Sequence, residues 1–280
     1  MKRVSSIDLF NRVLAQLLLI LLVIASLLPL YNVVIASFKS SHAFALSSPF
    51  LPPASLSGEN YVYAALHGHL LRFAVNSLIL VPSGLVVYIV VCLFAGYAFG
   101  KMRFGAKRPL FLLVLFLMIF PQLLLATEVF RLIALMHLTD SGLGVILTWV
   151  AYFSPFGTYI MTTYFNDMPY ELVEAARIDG ASQLRTLVSI MAPLAMPMIA
   201  TIAIIGFQAM WNELPFSMLI LQSQTSRTLT LGIAMLGGEY GLSVPAMSAA
   251  LIIAMIVPLA MFLVFQRRVT LGVTAGAVKG

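Results

Sequence analysis

Long apolar runs alternate with short polar segments along this chain of 280 residues. A helix needs about 20 mostly apolar residues to cross a bilayer, and six runs are long enough: residues 13–37, 73–98, 109–127, 143–165, 193–213 and 245–265. Within them the only Asp, Glu, Lys or Arg is Glu213, at the end of the fifth run. Barrel-strand alternation is missing, and only helices and closed barrels satisfy backbone hydrogen bonds in lipid. The pattern predicts an all-α integral membrane protein with six transmembrane helices in one domain, residues 1–280.

Composition agrees with this prediction and adds an orientation. Mean hydropathy is +1.02 and charged residues make up 9% of the chain, whereas a soluble domain carries roughly 25%. Cytoplasmic loops are enriched in Lys and Arg. If the N-terminus is cytoplasmic, twelve of the 16 Lys and Arg residues lie on the cytoplasmic side. We therefore expect both termini and the segment between the fourth and fifth runs to be cytoplasmic. The single cysteine, Cys92, lies in an apolar run, so no disulfide framework and no metal site are expected.

A short polar insert separates the fourth and fifth runs, at about residues 167–192. Asn166 or Asp167 can cap a first short helix, and Gly180 can supply the left-handed conformation that ends it. Ser182 can cap a second helix. In the first helix Leu172, Ala175 and Ala176 are spaced to share one face, which would be slim. Two interpretations stay open: a helical finger that docks into another protein, with Glu174 as a charge partner, or an amphipathic connector lying at the lipid headgroups.

Polar and aromatic side chains inside the runs are candidates for a solute path. Tyr152 and Tyr159 share one helical face of the fourth run with three further residues, Thr148, Pro155 and Thr162. Rings and hydroxyls suit a neutral sugar, although helix packing explains the same face. Further candidates are Asn76, Gln208 and Asn212, for which hydrogen bonding between helices is the alternative. Glu128 and Glu213 end apolar runs and are expected at the membrane interface.

No phosphate-binding loop ending in Gly-Lys-Ser or Gly-Lys-Thr occurs in the chain. We therefore expect no enzyme activity, no catalytic residues and no cofactor in this chain. If transport is driven by ATP, the ATP and Mg²⁺ belong to a separate ATPase subunit. Two other classes remain as alternatives: a stand-alone channel or secondary transporter with an interfacial connector helix, and a membrane scaffold that recruits an ATPase without transporting. Nothing in the sequence indicates a nucleic-acid partner.

The insert resembles the signature loop of ABC importer permeases. That signature reads E-A-A, three residues, G, nine residues, I-x-L-P. Here it is matched by Glu174-Ala175-Ala176, Gly180, Ile190 and Pro193, with Ala192 where the pattern has leucine. The resemblance implies that this loop is a coupling helix docked into a cleft of the ATP-hydrolysing subunit. The residues implied in coupling are Glu174, Ala175, Ala176, Asp179, Gly180 and Ala181.

Shorter motifs are similar to the carbohydrate-uptake branch of that family, typified by the maltose permease. They occur in order along the chain: Asn60-Tyr61-Val62, Asn76-Ser77-Leu78, Gly96-Tyr97-Ala98-Phe99 with the basic cluster 101–108, and Trp211-Asn212-Glu213. The C-terminal residues look like the tail of the smaller maltose permease subunit. The resemblance implies that this tail reaches the ATPases through Gln266, Thr274, Gly276, Lys279 and Gly280. It also implies that a glycine-rich loop faces the external binding protein through Gly237, Gly238, Glu239 and Tyr240.

The resemblance also implies the partners and the location. A second, similar but distinct permease chain would complete the pathway as a heterodimer. Two ATPase subunits would bind on the cytoplasmic side and a solute-binding protein on the other side. The substrate class would be a sugar or oligosaccharide, with a phosphorylated polyol as the alternative. The location would be a prokaryotic plasma membrane, which the chain crosses several times.

Overall fold

A computed structural model describes residues 6–239 and 241–277 of the chain. Within these ranges the ordered elements are helices and no strand is present. In chain order they are α1 Ser6–Ser37, α2 Ser41–Leu46, α3 Glu59–His67, α4 Leu70–Lys101, α5 Lys107–Leu117, α6 Gln122–Leu135, α7 Gly142–Asp167, α8 Glu171–Ile178, α9 Gln183–Thr186, a π-helical segment Leu187–Met191, α10 Ala192–Leu194, α11 Met196–Trp211, α12 Pro215–Ile220, α13 Leu229–Glu239 and α14 Val244–Ala277. The prediction of an all-helical membrane protein is confirmed.

Four of the described helical stretches are long and apolar enough to cross a membrane by themselves. They are Asn11–Ser37, Leu70–Lys101, Gly142–Asp167 and Val244–Val264. These contain the predicted runs 13–37, 73–98 and 143–165 and nearly all of 245–265. Four long helices thus coincide with predicted runs, with α4 and α7 extending beyond the predicted limits by up to three residues, α1 beginning at Ser6 and α14 continuing to Ala277.

The other two predicted spans are broken rather than straight. Run 109–127 lies in α5 and α6, between which the path bends by 107°. Run 193–213 begins in α10 and continues in α11, and the path bends by 80° between the helical stretch Gln183–Leu194 and α11. A proline lies beside each break, and proline lacks the N–H that continues a helix. Pro121 precedes α6, and Pro197 lies in the first turn of α11, where the missing donor costs little. The residues that the structure describes thus contain four such spans, or up to six if each bent pair counts as one.

The chain forms two compact units. The first comprises Met1–Leu70 and Ile233–Met255. Its polar core surrounds Lys39, whose buried Nζ donates to Ser47 Oγ at 3.0 Å and to the Ser48 carbonyl at 2.9 Å. Asn60 donates to the carbonyls of Ser37 and Lys39 at 2.8 and 2.7 Å. These bonds fasten the start of α3 to the segment that follows α1.

The second unit comprises Leu71–Gly232 and Ile256–Gly280. In it α4 lies against α7 with glycine at the contacts. A Cβ added to Gly100 would lie 2.6 Å from Phe165 Cβ, and one added to Gly157 would lie 2.5 Å from Cys92 Sγ. A side chain at either position would force the two helices apart, so the absence of a Cβ sets their separation.

Candidate functional site

The polar insert forms a finger of two short helices, residues 168–194, within the second unit. The first helix, α8, starts after Tyr170, which provides no side-chain cap. The expectation that Asn166 or Asp167 caps this helix is wrong, because both residues belong to the last turns of α7. The second helix begins as expected: Ser182 Oγ accepts from the N–H of Arg185 at 3.3 Å.

The faces of α8 differ from the predicted slim face. Val173 and Ala176 are buried, whereas Ala175 is exposed and does not share the face of Ala176. The exposed side carries three further residues at helical spacing, Glu171, Glu174 and Ile178. Ile178 is 86% exposed. Because the face that contains Val173 is buried, the outer surface of α8 combines two acidic groups with a large apolar side chain.

The turn after α8 has the geometry predicted from its glycine. Gly180 has φ +76°, the left-handed region that favours glycine. Its N–H donates to the Arg177 carbonyl at 3.0 Å, and the N–H of Ala181 donates to the Ala176 carbonyl at 2.9 Å. This is the Schellman arrangement, with Asp179 as the C-cap. The turn is exposed from Arg177 to Gly180.

The second half of the finger contains a π-helical segment, Leu187–Met191. Leu187 and Met191 are buried, whereas Leu184 and Val188 are exposed. Pro193 lies inside α10. The helix is interrupted one residue after α10 ends, at Ala195, and α11 follows. The π-helical turn adds one residue to the helical repeat, which rotates the following residues relative to Leu184.

The aromatic face of α7 meets a cavity in the second unit. Tyr152 lines this cavity of about 400 Å³ together with Thr148 and Pro155, and most other lining side chains are aliphatic. The hydroxyl of Thr148 donates to the Gly144 carbonyl, and that of Thr162 to the Thr158 carbonyl. These hydroxyls therefore bond within their own helix. Tyr159 is half-exposed and is not part of the cavity wall.

The other polar candidates form local contacts. The side-chain amide of Asn76 donates to the carbonyls of Thr225 at 2.9 Å and Arg227 at 2.8 Å, so it holds the segment before α13. Asn212 donates to the backbone and side-chain oxygens of Gln208, at 2.8 and 3.3 Å. The structure brings Gln208 and Asn212 together at the end of α11, and the described hydrogen bonds join neither residue to Tyr152 or Asn76. A role of these residues in a solute path stays a prediction.

Glu213, which is predicted to lie at the membrane interface, is 4% exposed. Its Oε1 accepts from Gln122 Nε2 at 2.6 Å and from the N–H of Phe216 at 2.7 Å. Its Oε2 accepts from Trp149 Nε1 at 2.9 Å and from both the N–H and the hydroxyl of Ser217, at 3.0 and 2.7 Å. One carboxylate thus joins α6, α7 and the start of α12. The sequence feature that could have indicated this role is an acidic residue two positions before Pro215, the first residue of α12. Glu128 is exposed and pairs with Arg131.

The predicted glycine-rich loop is partly helical. Gly237, Gly238 and Glu239 are the last residues of α13, and Tyr240 lies outside the described residues. A Cβ at Gly237 would lie 3.0 Å from Met247 Sδ, at the end of a flexible side chain. Gly241 has φ +60°. In the predicted tail, Gln266, Thr274 and Gly276 lie on α14, whereas Lys279 and Gly280 lie outside the described residues.

These elements define a multi-pass helical membrane protein that exposes a two-helix finger between two apolar segments. The chain belongs to the family of binding-protein-dependent transport system inner membrane components, which it matches over residues 64–274. The resemblance to ABC importer permeases is thereby confirmed, as is a location in a membrane that the chain crosses several times. Members of this family are membrane permease components.

Individual relatives are similar over almost their whole length. The chain is 31% identical to the trehalose/maltose transport system permease protein MalG of Thermococcus litoralis, over 98% of this chain and 99% of that protein. It is 30% identical to the diacetylchitobiose uptake system permease protein NgcG of Streptomyces coelicolor, over 94% and 87%. Its fold matches a chain in the crystal structure of a bacterial ABC transporter involved in the import of the acidic polysaccharide alginate. That match has a TM-score of 0.82 at 22% identity and covers 95% of this chain and 99% of the other.

Proposed function

We propose that the chain is one of two permease subunits of an ATP-driven, binding-protein-dependent importer for a sugar or oligosaccharide. The observation that carries the proposal is the exposed surface of α8 and its turn, with Glu174, Ile178 and Gly180 facing outward, in a chain of this transport family. A large apolar side chain that is 86% exposed beside acidic groups suits a protein cleft, where it would be removed from water. The docking partner would be a separate ATPase subunit that holds ATP and Mg²⁺.

The substrate class is supported by the relatives. Diacetylchitobiose, trehalose and maltose appear in the names of proteins at least 30% identical to this chain. Within the described part of the second unit, the wall of the α7 cavity combines a tyrosine ring with aliphatic side chains, and aromatic and apolar walls with few polar groups are typical of small-molecule sites. Tyr152 is therefore the residue of the proposed path with the best support.

The remaining architecture follows from the basic residues and the bent pairs. If each bent pair crosses the membrane once, the chain has six spans and both termini are cytoplasmic, as the distribution of Lys and Arg indicates. The finger then faces the cytoplasm, where ATPases act. The segment that contains Gly237 and Gly238 faces the binding protein. A second permease chain, similar but distinct, completes the pathway.

The test uses the complete transporter reconstituted in proteoliposomes, with uptake and ATP hydrolysis measured together. Gly180→Val places a β-branched residue at φ +76°, a backbone conformation that such residues avoid. Gly105→Val is the matched control, because neither glycine has an atom within 4 Å of an added Cβ and only Gly180 has a positive φ. We expect Gly180→Val to insert normally but to lose most ATP-driven uptake, while Gly105→Val transports as the wild type does.

Two results would contradict the proposal. Normal uptake by Gly180→Val would show that the turn does not dock. Solute flux through the purified wild-type chain alone, without nucleotide or partners, would favour a stand-alone channel instead.

A further inference from the structure

The end of α4 contacts both helices of the finger. Two residues in the last two turns of α4, Tyr97 and Lys101, make these contacts, and together with Arg103, which follows the helix, they are here called the α4 anchor. Tyr97 Oη donates to Gln183 Oε1 at 3.0 Å, and Lys101 Nζ donates to the Met168 carbonyl at 2.6 Å. Met168 precedes α8, whereas Gln183 is the first residue of α9. The finger is therefore attached to one helix on both sides of its exposed turn.

The Lys101 contact is that of a buried charge. Lys101 is 4% exposed, and its ammonium bonds the C-cap of α7, where the helix dipole favours a cation. The carboxylates of Glu171 and Asp167 attract this ammonium, and the ammonium of Lys107 repels it. The ring of Tyr170 lies 5.9 Å from Lys101 Nζ and 5.5 Å from the Arg103 guanidinium. A buried ammonium is costly unless its hydrogen bonds are kept, so Lys101 holds the entry to α8 in place.

The side chain of Tyr97 is also buried and tightly packed. Tyr97 is 2% exposed, and its ring packs edge-on against Phe165 at 5.8 Å between centroids. Gly100, one turn further along, leaves no space for a Cβ beside Phe165. The hydroxyl that reaches Gln183 is therefore carried by a ring with little freedom to move. Displacement of α9 must either break this hydrogen bond or move α4.

We infer that Tyr97 and Lys101 are positioning residues that transmit displacement of α8 to α4, which begins at Leu70 and carries Asn76 near its other end. This inference rests on the proposed docking of α8 to an ATPase. The covalent route from the finger to α11 passes through a π-helical segment and an 80° break. The α4 anchor provides a second route, which leads directly into a continuous helix of 32 residues.

The test compares variants in the complete transporter, reconstituted in proteoliposomes with its ATPases and binding protein. Tyr97→Phe removes only the hydroxyl and keeps the ring on Phe165. Lys101→Met removes the ammonium and keeps most of the aliphatic stem. Arg108→Met is the control, since Arg108 is an exposed member of the same basic cluster. The measured quantity is solute taken up per ATP hydrolysed.

We expect Tyr97→Phe and Lys101→Met to bind the ATPases and hydrolyse ATP, with the uptake ratio reduced roughly threefold or more, the size seen for mutations along coupling networks. Arg108→Met keeps the wild-type ratio. Gln183→Leu lowers the ratio as Tyr97→Phe does, and the double variant is no worse than either single one. If Lys101→Met does not assemble with the ATPases, the comparison of Tyr97→Phe, Gln183→Leu and their double variant still tests the inference.

An unchanged ratio in Tyr97→Phe and Gln183→Leu would overturn the inference. So would additive losses in the double variant, because two residues of one contact cannot lose it twice. If the wild-type chain itself shows no ATP-driven uptake, the proposed function fails instead, so the two failures are distinguishable.

Discussion

Replacing Glu213 with glutamine should destabilise the second unit although the side chain keeps its shape. The carboxylate accepts five hydrogen bonds, and the amide has one oxygen fewer. If the new NH₂ replaces Oε1, Gln122 can turn its own carbonyl toward it, but the N–H of Phe216 loses its acceptor. If it replaces Oε2, Trp149 Nε1 and the N–H of Ser217 both lose theirs. At least one buried donor is left unsatisfied in either case.

The magnitude follows from that count. Each unsatisfied buried donor costs about 1–3 kcal/mol, so Glu213→Gln should lower the free energy of unfolding by about 1–3 kcal/mol. Glu213→Ala leaves three rigid N–H groups without an acceptor, those of Trp149, Phe216 and Ser217, and should cost about 3 kcal/mol or more. Glu128→Gln is the matched control, because Glu128 is exposed and pairs with Arg131. Exposed pairs contribute about 1 kcal/mol or less.

Equilibrium unfolding in mixed detergent and SDS micelles measures these differences. Tryptophan fluorescence suits the assay, since the chain has 2 tryptophans and Trp149 bonds Glu213 directly. Trp149→Phe should reduce the cost of a second change at Glu213, because the two residues share one hydrogen bond. If Glu213→Gln and Glu128→Gln unfold at the same SDS fraction, the reasoning that buried donors depend on this carboxylate is refuted.

Two further predictions concern packing and pH. Gly157→Ala should cost about 1–3 kcal/mol through overpacking against Cys92, measured by the same unfolding assay; a cost equal to that of Gly105→Ala would contradict close contact of α4 with α7. Burial raises the pKa of Asp140, but hydrogen bonds from Ser226 and Ser223 outweigh it and hold that pKa below its usual range. A lowered folded-state pKa means stability that is present at neutral pH and lost as pH falls through that pKa, so hydrogen-exchange protection of the Ser223 amide should drop in acid. Asp140→Asn should abolish this pH dependence, and its persistence there would exclude Asp140 as the cause.

Local features of the finger were predictable because their causes lie within a few residues. Gly180 adopts the left-handed conformation that its turn requires, and Ser182 caps the following helix, as the sequence indicated. The buried side of α8 was not predictable in the same way. Helical spacing placed Ala175 and Ala176 on one face, whereas packing of Val173 selected a face that contains Ala176 and excludes Ala175. Helical periodicity predicts which residues can share a face. Which of these faces is buried depends on the neighbouring helices.

The broken spans show the same limit at a larger scale. Pro121 and Pro197 interrupt helices at bends of 107° and 80°, whereas Pro82 and Pro155 lie inside α4 and α7. Proline removes one hydrogen bond wherever it occurs. Whether the helix then continues or bends depends on the residues that pack against it. The length and hydropathy of an apolar run do not indicate those contacts.

The sequence by itself determined that this chain is helical and membrane-spanning, because lipid offers no partner for an unpaired backbone group and long apolar runs leave no other structure. It also determined the finger and its turn, and, through the order of short motifs, the family. Only the tertiary structure decided that Glu213 is a buried hub and that the end of α4 holds the finger. The partners of Glu213 include residues 64 and 91 positions away, and Gln183 is 86 positions from Tyr97. Contacts over such separations arise from packing of distant helices, to which no local pattern in the chain corresponds.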